Sequence, residues 1–152
     1  SGPALPTFRT MVREIADDIN FAILNGDPRK AGNFPDTPVV VDHCARIDTQ
    51  HAKELDDLCN LAKHRNVYVK ISAFYAFGAK KPPYLEQLHR ITRLLDAYGP
   101  ERLMWASDCP YQLEPPNTYA TSIALVRDRL KGISDGDREC LLRITAEKVF
   151  FH

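Results

Sequence analysis

The chain has 152 residues, 44% hydrophobic and 26% charged, which suits one packed domain and is too apolar for a disordered chain. Twenty basic and twenty acidic side chains cancel to a formal net charge of zero. That leaves no basic excess to neutralise phosphates and excludes a dedicated nucleic-acid binder.

No apolar run approaches the roughly eighteen residues of a membrane span, and the first ten residues lack the regions of a signal peptide. The chain opens on Ser1 rather than Met, so a processed, tagged or partial sequence is expected. Cys44, Cys59, Cys109 and Cys140 are scattered and form no C-x-x-C pair, which excludes a disulfide scaffold and a zinc knuckle. Reduced thiols and a cytoplasmic location are the expectation.

In chain order, Leu5, Phe8, Met11, Val12, Ile15, Ile19 and Ala22 recur at helical steps and predict an amphipathic helix over residues 5–24. Asn25-Gly26-Asp27-Pro28 stops it, and a polar loop follows. Residues 38–42 read as a short strand. Its three consecutive valines, with no polar face, predict burial on both sides, as in a helix-covered parallel sheet. A helix over 49–64 follows, striped by Ala52, Leu55, Leu58, Cys59 and Ala62.

The second strand, 66–72, alternates Val67, Val69 and Ile71 with Tyr68, Lys70 and Ser72. The next helix carries Leu85, Leu88, Ile91, Leu94, Leu95 and Tyr98 and closes at Gly99-Pro100. A third strand spans 103–107 and stops before Pro110, which cannot donate to a ladder. Helices over 119–131 and 135–150 finish the chain, the first ended by Gly132, the second opened by a near capping box of Ser134 and Asp137. Strand–helix units of about thirty residues imply right-handed crossovers and a parallel α/β sheet in a single domain, residues 1–152.

Functional groups of such folds gather where strands end. The three strand ends carry Asp42-His43-Cys44-Ala45-Arg46, Lys70-Ile71-Ser72-Ala73-Phe74-Tyr75 and Ser107-Asp108-Cys109-Pro110-Tyr111. Parallel neighbours would bring them to one rim, so that His43 and Asp108 share a site. An imidazole there can bind metal, polarise a carbonyl or move a proton, and a carboxylate can accept a proton from water. Each type is also common as a cap or loop hydrogen-bonder. Lys70, inside a buried strand, needs a carboxylate, supplied by the fold or by a substrate. Arg46 is either a bidentate clamp for a substrate carboxylate or a solvated loop residue. His51, His64 and His89, among charged neighbours, read as surface residues. The aromatic stretch 74–77 either lines a pocket or packs under a loop.

Taken together and in order, these strings resemble a known family. Pro38-Val39-Val40-Val41-Asp42-His43 is similar to the sixth-strand motif of the amidohydrolase superfamily, in its second family of metal-dependent hydrolases. Residues 66–72 resemble that family's seventh strand. The run from Gly99 to Pro110 resembles its eighth, with Ala106 where a glycine usually stands. The resemblance implies a (β/α)₈ TIM barrel with its site at the C-terminal rim of the strands. It gives His43 the polarising or metal-binding role, and Asp108 the roles of general base and metal contact. Arg46, Lys70, Ser72 and Tyr111 would be substrate-binding, and zinc would be the natural ion of the complete family site.

The family's first-strand His-x-His has no counterpart, and no histidine precedes His43. A full barrel takes about 250 residues. The chain is therefore expected to supply about the last three strand–helix units of a partial barrel, completed by self-association or by a missing N-terminal half. The implied chemistry is hydrolysis of a lactone or related carbonyl ester with an anionic or sugar-derived substrate. The alternatives are a metal-dependent nonoxidative decarboxylase and an inactive barrel fragment with a structural or interaction role.

Overall fold

The computed structural model describes residues 39–151. The helix expected over 5–24, the loop after it and Pro38 lie outside the described residues. Within them, three strands form one parallel sheet in the order β1 (Val39–Val41), β2 (Val67–Ile71), β3 (Leu103–Trp105). Register pairs Val41 with Val69, and Lys70 with Met104. All three strand positions hold as expected, each two residues shorter than the apolar pattern. The fold is α/β.

The crossovers are helical. Helix α1 (Ala52–Asn60) joins β1 to β2, and α2 (Gln87–Tyr98) joins β2 to β3. Their apolar stripes bury Leu55, Leu58, Ile91 and Leu94 against the β2 residues Val67, Val69 and Ile71, all three fully buried. At about 25 cal/mol per Å² of apolar surface, each such aliphatic side chain contributes roughly 1.5–3 kcal/mol. The two helices are also tied directly: the Tyr98 hydroxyl donates to the Leu58 carbonyl at 2.6 Å, and Arg93 pairs with Asp56 at 2.6 Å. Leu85, placed on the α2 stripe by spacing, precedes the helix and is exposed.

Helix α3 (Tyr119–Ala124) opens on a reciprocal Thr118–Thr121 capping box and runs into a π-helical turn, Leu125–Arg129. Helix α4 (Asp135–Glu139) opens on the Ser134–Asp137 pair, with bonds of 3.0 and 3.2 Å. A second π-helical turn, Cys140–Ile144, leads into α5 (Thr145–Phe150). Gly99 ends α2 with a φ of 72°, which a Cβ would disfavour, whereas the helical stretch after α3 stops at Arg129, short of the expected Gly132, whose φ of 77° falls in the connection to α4.

Two further expectations fail. β1 is half-buried along its length rather than enclosed, because it is the edge of the described sheet and nothing described pairs with its far side. His64 is buried, at 8% exposure, where its charged neighbours had suggested a surface residue. It lies just ahead of β2, and Arg102 from the turn before β3 donates to its carbonyl and to that of Ala62. No described helix is long and apolar enough to cross a membrane, and the four cysteines are free.

Candidate functional site

Each strand ends in backbone that turns left-handed. After β1, His43, Cys44, Ala45 and Arg46 have φ of 55°, 46°, 63° and 58°. After β2, Ala73 has φ 57°, and after β3, Asp108 has φ 56°. Non-glycine residues in this region cost about 1–2 kcal/mol each, so their clustering at one rim marks a place where geometry is held against local preference. The anchors are visible. Cys44 and Ala45 are buried, and Ile47 closes the turn through its amide to the Cys44 carbonyl at 3.3 Å. From α2, the buried guanidinium of Arg90 donates to the Ile47 carbonyl at 2.6 Å and to the Gln87 side-chain carbonyl, and lies 5.4 Å from the Phe77 ring.

The turns bring His43 and Asp108 together, as the strand-end reading expected. His43 Nε2 lies 3.7 Å from Asp108 Oδ1, with both side chains partly shielded. His43 Nδ1 is 2.8 Å from Ser72 Oγ, and the Tyr75 hydroxyl donates to Asp108 Oδ2 at 2.6 Å. Four side chains from three strand ends thus form one line: Ser72, His43, Asp108, Tyr75. Burial together with the bond to the Asp108 carboxylate pushes the Tyr75 phenol up to about 12. It therefore remains a donor at any physiological pH.

The Ser72 bond governs what the imidazole can do. If the hydroxyl donates to Nδ1, the ring proton sits on Nε2, and the face toward Asp108 is an electrophilic N–H. If the hydroxyl accepts from Nδ1–H, Nε2 presents a lone pair that can take a proton or a metal. Ser72 itself is fully buried. Its hydroxyl is bonded to the imidazole and supports the ring.

Lys70 takes the structural branch of its alternatives. Its Nζ is 2.8 Å from Asp42 Oδ1 and 5.6 Å from the Phe150 ring centroid. Arg46 is exposed and makes no hydrogen bond or ion pair among the described residues, but its charge lies close enough to stabilise the Tyr75 phenolate. Tyr111 is 64% exposed on the segment that follows β3. Cys44 is sealed in the core, and burial pushes its thiol up, which leaves it inert.

Tyr75 stands in the second strand-end string and in the aromatic run, but neither singles it out, since Phe74 and Phe77 of that run are core residues.

No group of three His, Cys, Asp or Glu side chains converges among the described residues. His43 Nε2 and Asp108 Oδ1 nonetheless suit two positions of a tetrahedral shell. Zinc–ligand bonds near 2.1 Å would set such a pair roughly 3.4 Å apart, close to the observed 3.7 Å. The remaining ligands would come from outside the described residues.

Comparison with solved structures finds the same architecture in longer chains. An amidohydrolase of Burkholderia multivorans with bound HEPES superposes with a TM-score of 0.67 at 24% identity, covering 80% of this chain and 47% of that one. A crystal form of an amidohydrolase from the same organism, with bound zinc, gives 0.60 at 26%, covering 74% and 43%. A Pseudomonas putida protein, provisionally described as a 2-pyrone-4,6-dicarboxylic acid hydrolase, gives 0.64 at 24%, covering 98% and 60%. The chain therefore spans about half the length of the structures it matches, as the partial-barrel reading requires. No curated protein matches. A protein-family comparison matches residues 29–151 to the amidohydrolases, and with most of its length so matched, the chain belongs to the amidohydrolase family.

Proposed function

We propose that this chain carries the water-activating part of a hydrolase site acting on a lactone or related carbonyl ester. The observation that carries the reading is the apposition of Asp108 Oδ1 and His43 Nε2 at 3.7 Å on a rim where both are partly shielded from water. Asp108 Oδ1 takes the proton from the attacking water. His43, with Ser72 donating to Nδ1, presents Nε2–H to the carbonyl oxygen and stabilises the oxyanion. Arg46, the cation left without a partner at this rim among the described residues, orients an anionic or sugar-derived substrate, and Tyr111 flanks it. Lys70 is occupied by Asp42 and keeps the β1 turn in place.

In the other tautomer, with Ser72 accepting from Nδ1–H, His43 Nε2 and Asp108 Oδ1 would hold a divalent ion, zinc by analogy with the Burkholderia multivorans protein. Bound there, it would supply Lewis acidity to the carbonyl and lower the pKa of water. Because the described sheet stops at three strands, further strands complete the barrel, from a second copy or a preceding half of the protein. The protein is expected to act in the cytoplasm.

The test is Asp108→Asn in the complete protein, assayed against a panel of lactones, with mass by light scattering on the same sample. Hydrolysis should fall by about 10³-fold or more, as expected for loss of a general base in a preorganised site, with the melting temperature little changed. Lactone hydrolysis that survives the substitution would remove Asp108 from the mechanism.

A further inference from the structure

Neither reacting group of the proposed site comes from the middle strand, yet the segment that follows β2 supplies a hydrogen bond to each of them. Ser72 holds the His43 ring at Nδ1, and three residues later Tyr75 holds Asp108 at Oδ2. The geometry points to Tyr75 as the positioning residue for Asp108, committing one carboxylate oxygen so that only Oδ1 faces His43 and the reacting water. This rests on the hydrolase reading above and deepens it.

The local structure aims Tyr75 at this task. Left-handed Ala73 turns the chain sharply as β2 ends, and the Ala76 amide closes the turn on the Ala73 carbonyl at 3.0 Å. Phe74 is fully buried and packs on the Tyr84 ring at 5.8 Å. It acts as an anchor, and the next side chain is directed to the half-open rim. Tyr84 is itself pinned, donating to Asn117 at 2.6 Å and accepting from Gln112 at 3.0 Å.

The Tyr75 bond to Asp108 is short, in the range of charge-assisted O–H···O⁻ contacts, and it is the only hydrogen bond to the Asp108 side chain among the described residues. Without it the carboxylate is free to rotate about Cβ–Cγ and offer either oxygen. Misplacement of a reacting atom by about 1 Å can cost 10²-fold in rate. The Tyr75 hydroxyl donates to Oδ2, which leaves Oδ1, the oxygen facing His43, as the one open to the reacting water.

The test is Tyr75→Phe in the complete protein. Loss of positioning should lower kcat by about 10- to 100-fold while KM stays within about 3-fold, and melting should shift by less than about 2 °C, since one half-exposed hydroxyl is removed. A kcat within twofold of the parent overturns the proposal. So does a loss of kcat accompanied by a fall of more than about 5 °C in melting temperature, which would assign Tyr75 to the fold. If the parent protein hydrolyses no lactone, the hydrolase reading fails by itself, and crystal structures of the parent and Tyr75→Phe decide the positioning role. Rotation of the Asp108 carboxylate away from its 3.7 Å approach to His43 supports it, and an unmoved carboxylate overturns it.

Discussion

The layer beneath the rim and the rim itself follow opposite rules. Below, Val67, Val69, Ile71, Ile91 and Leu94 are fully buried in regular strand and helix, and local preference, hydrophobic pattern and packing agree. Above, six non-glycine residues at three strand ends hold left-handed backbone, and local preference is overruled. The difference shows where stability is generated and where it is consumed. The two regions are joined by polar bridges from α2 and the loops around it, of which Arg90 is the clearest, since it reaches from a helix to the residue that closes the His43 turn.

Breaking that bridge should have the largest effect. Arg90→Met keeps much of the side-chain volume but leaves the Ile47 carbonyl and the Gln87 side chain without their donor. Loss of a charged hydrogen bond and a stranded buried acceptor together should cost about 3 kcal/mol, read as a lower midpoint in urea. If the rim depends on this support, activity should fall further than stability alone explains, in protein still fully folded at the assay temperature. A variant equally stable and equally active would mean that the left-handed turn holds itself.

A smaller effect of opposite sign should follow from relieving strain where nothing is buried. Arg46 has φ 58° and is exposed, so Arg46→Gly removes the steric penalty of a Cβ without opening a cavity. Stability should rise by up to about 1 kcal/mol. The same change deletes the proposed anion contact, so KM for an anionic lactone should rise while kcat changes less. A stabilised variant with unaltered KM would keep the strain half of the comparison and discard Arg46 as a substrate residue.

The buried layer and the rim were also unequally legible in the sequence. Strand and helix positions followed from apolar periodicity, because regular elements write their burial into spacing. His43 and Asp108 could be located because a strand end is a position a sequence reveals, and the family strings around them fixed the order. The rest of the site could not be read in this way. Tyr75 acquires its role from the left-handed turn at Ala73 and the anchoring of Phe74, and no pattern in an aromatic run separates an anchor from a donor. Ser72 finds its partner on a neighbouring strand end, His43, a pairing that spacing within one strand does not show. Arg90 sits on an amphipathic helix where an arginine ordinarily reads as solvated, and only the tertiary fold shows the carbonyl it reaches.

His64 tests the layer below the rim on its own, with the smallest expected effect. Its Nε2 is buried without a hydrogen-bond partner among the described residues. Burial, reinforced by the Lys63 charge, lowers its pKa below the ordinary 6.5. A lowered folded value means that, between it and about 6.5, the unfolded chain binds a proton that the native chain does not. Stability therefore falls as pH drops through this window, and the decline from this group stops once the native ring also protonates. The whole contribution is present above the unfolded value, at pH 7.5. His64→Leu removes both the titration and the unsatisfied nitrogen, so the urea midpoint of the variant should fall less between pH 7.5 and pH 5 than that of the parent. Equal slopes would mean that His64 reaches solvent readily in the native state, and that the layer under β2 is less closed than its strand residues indicate.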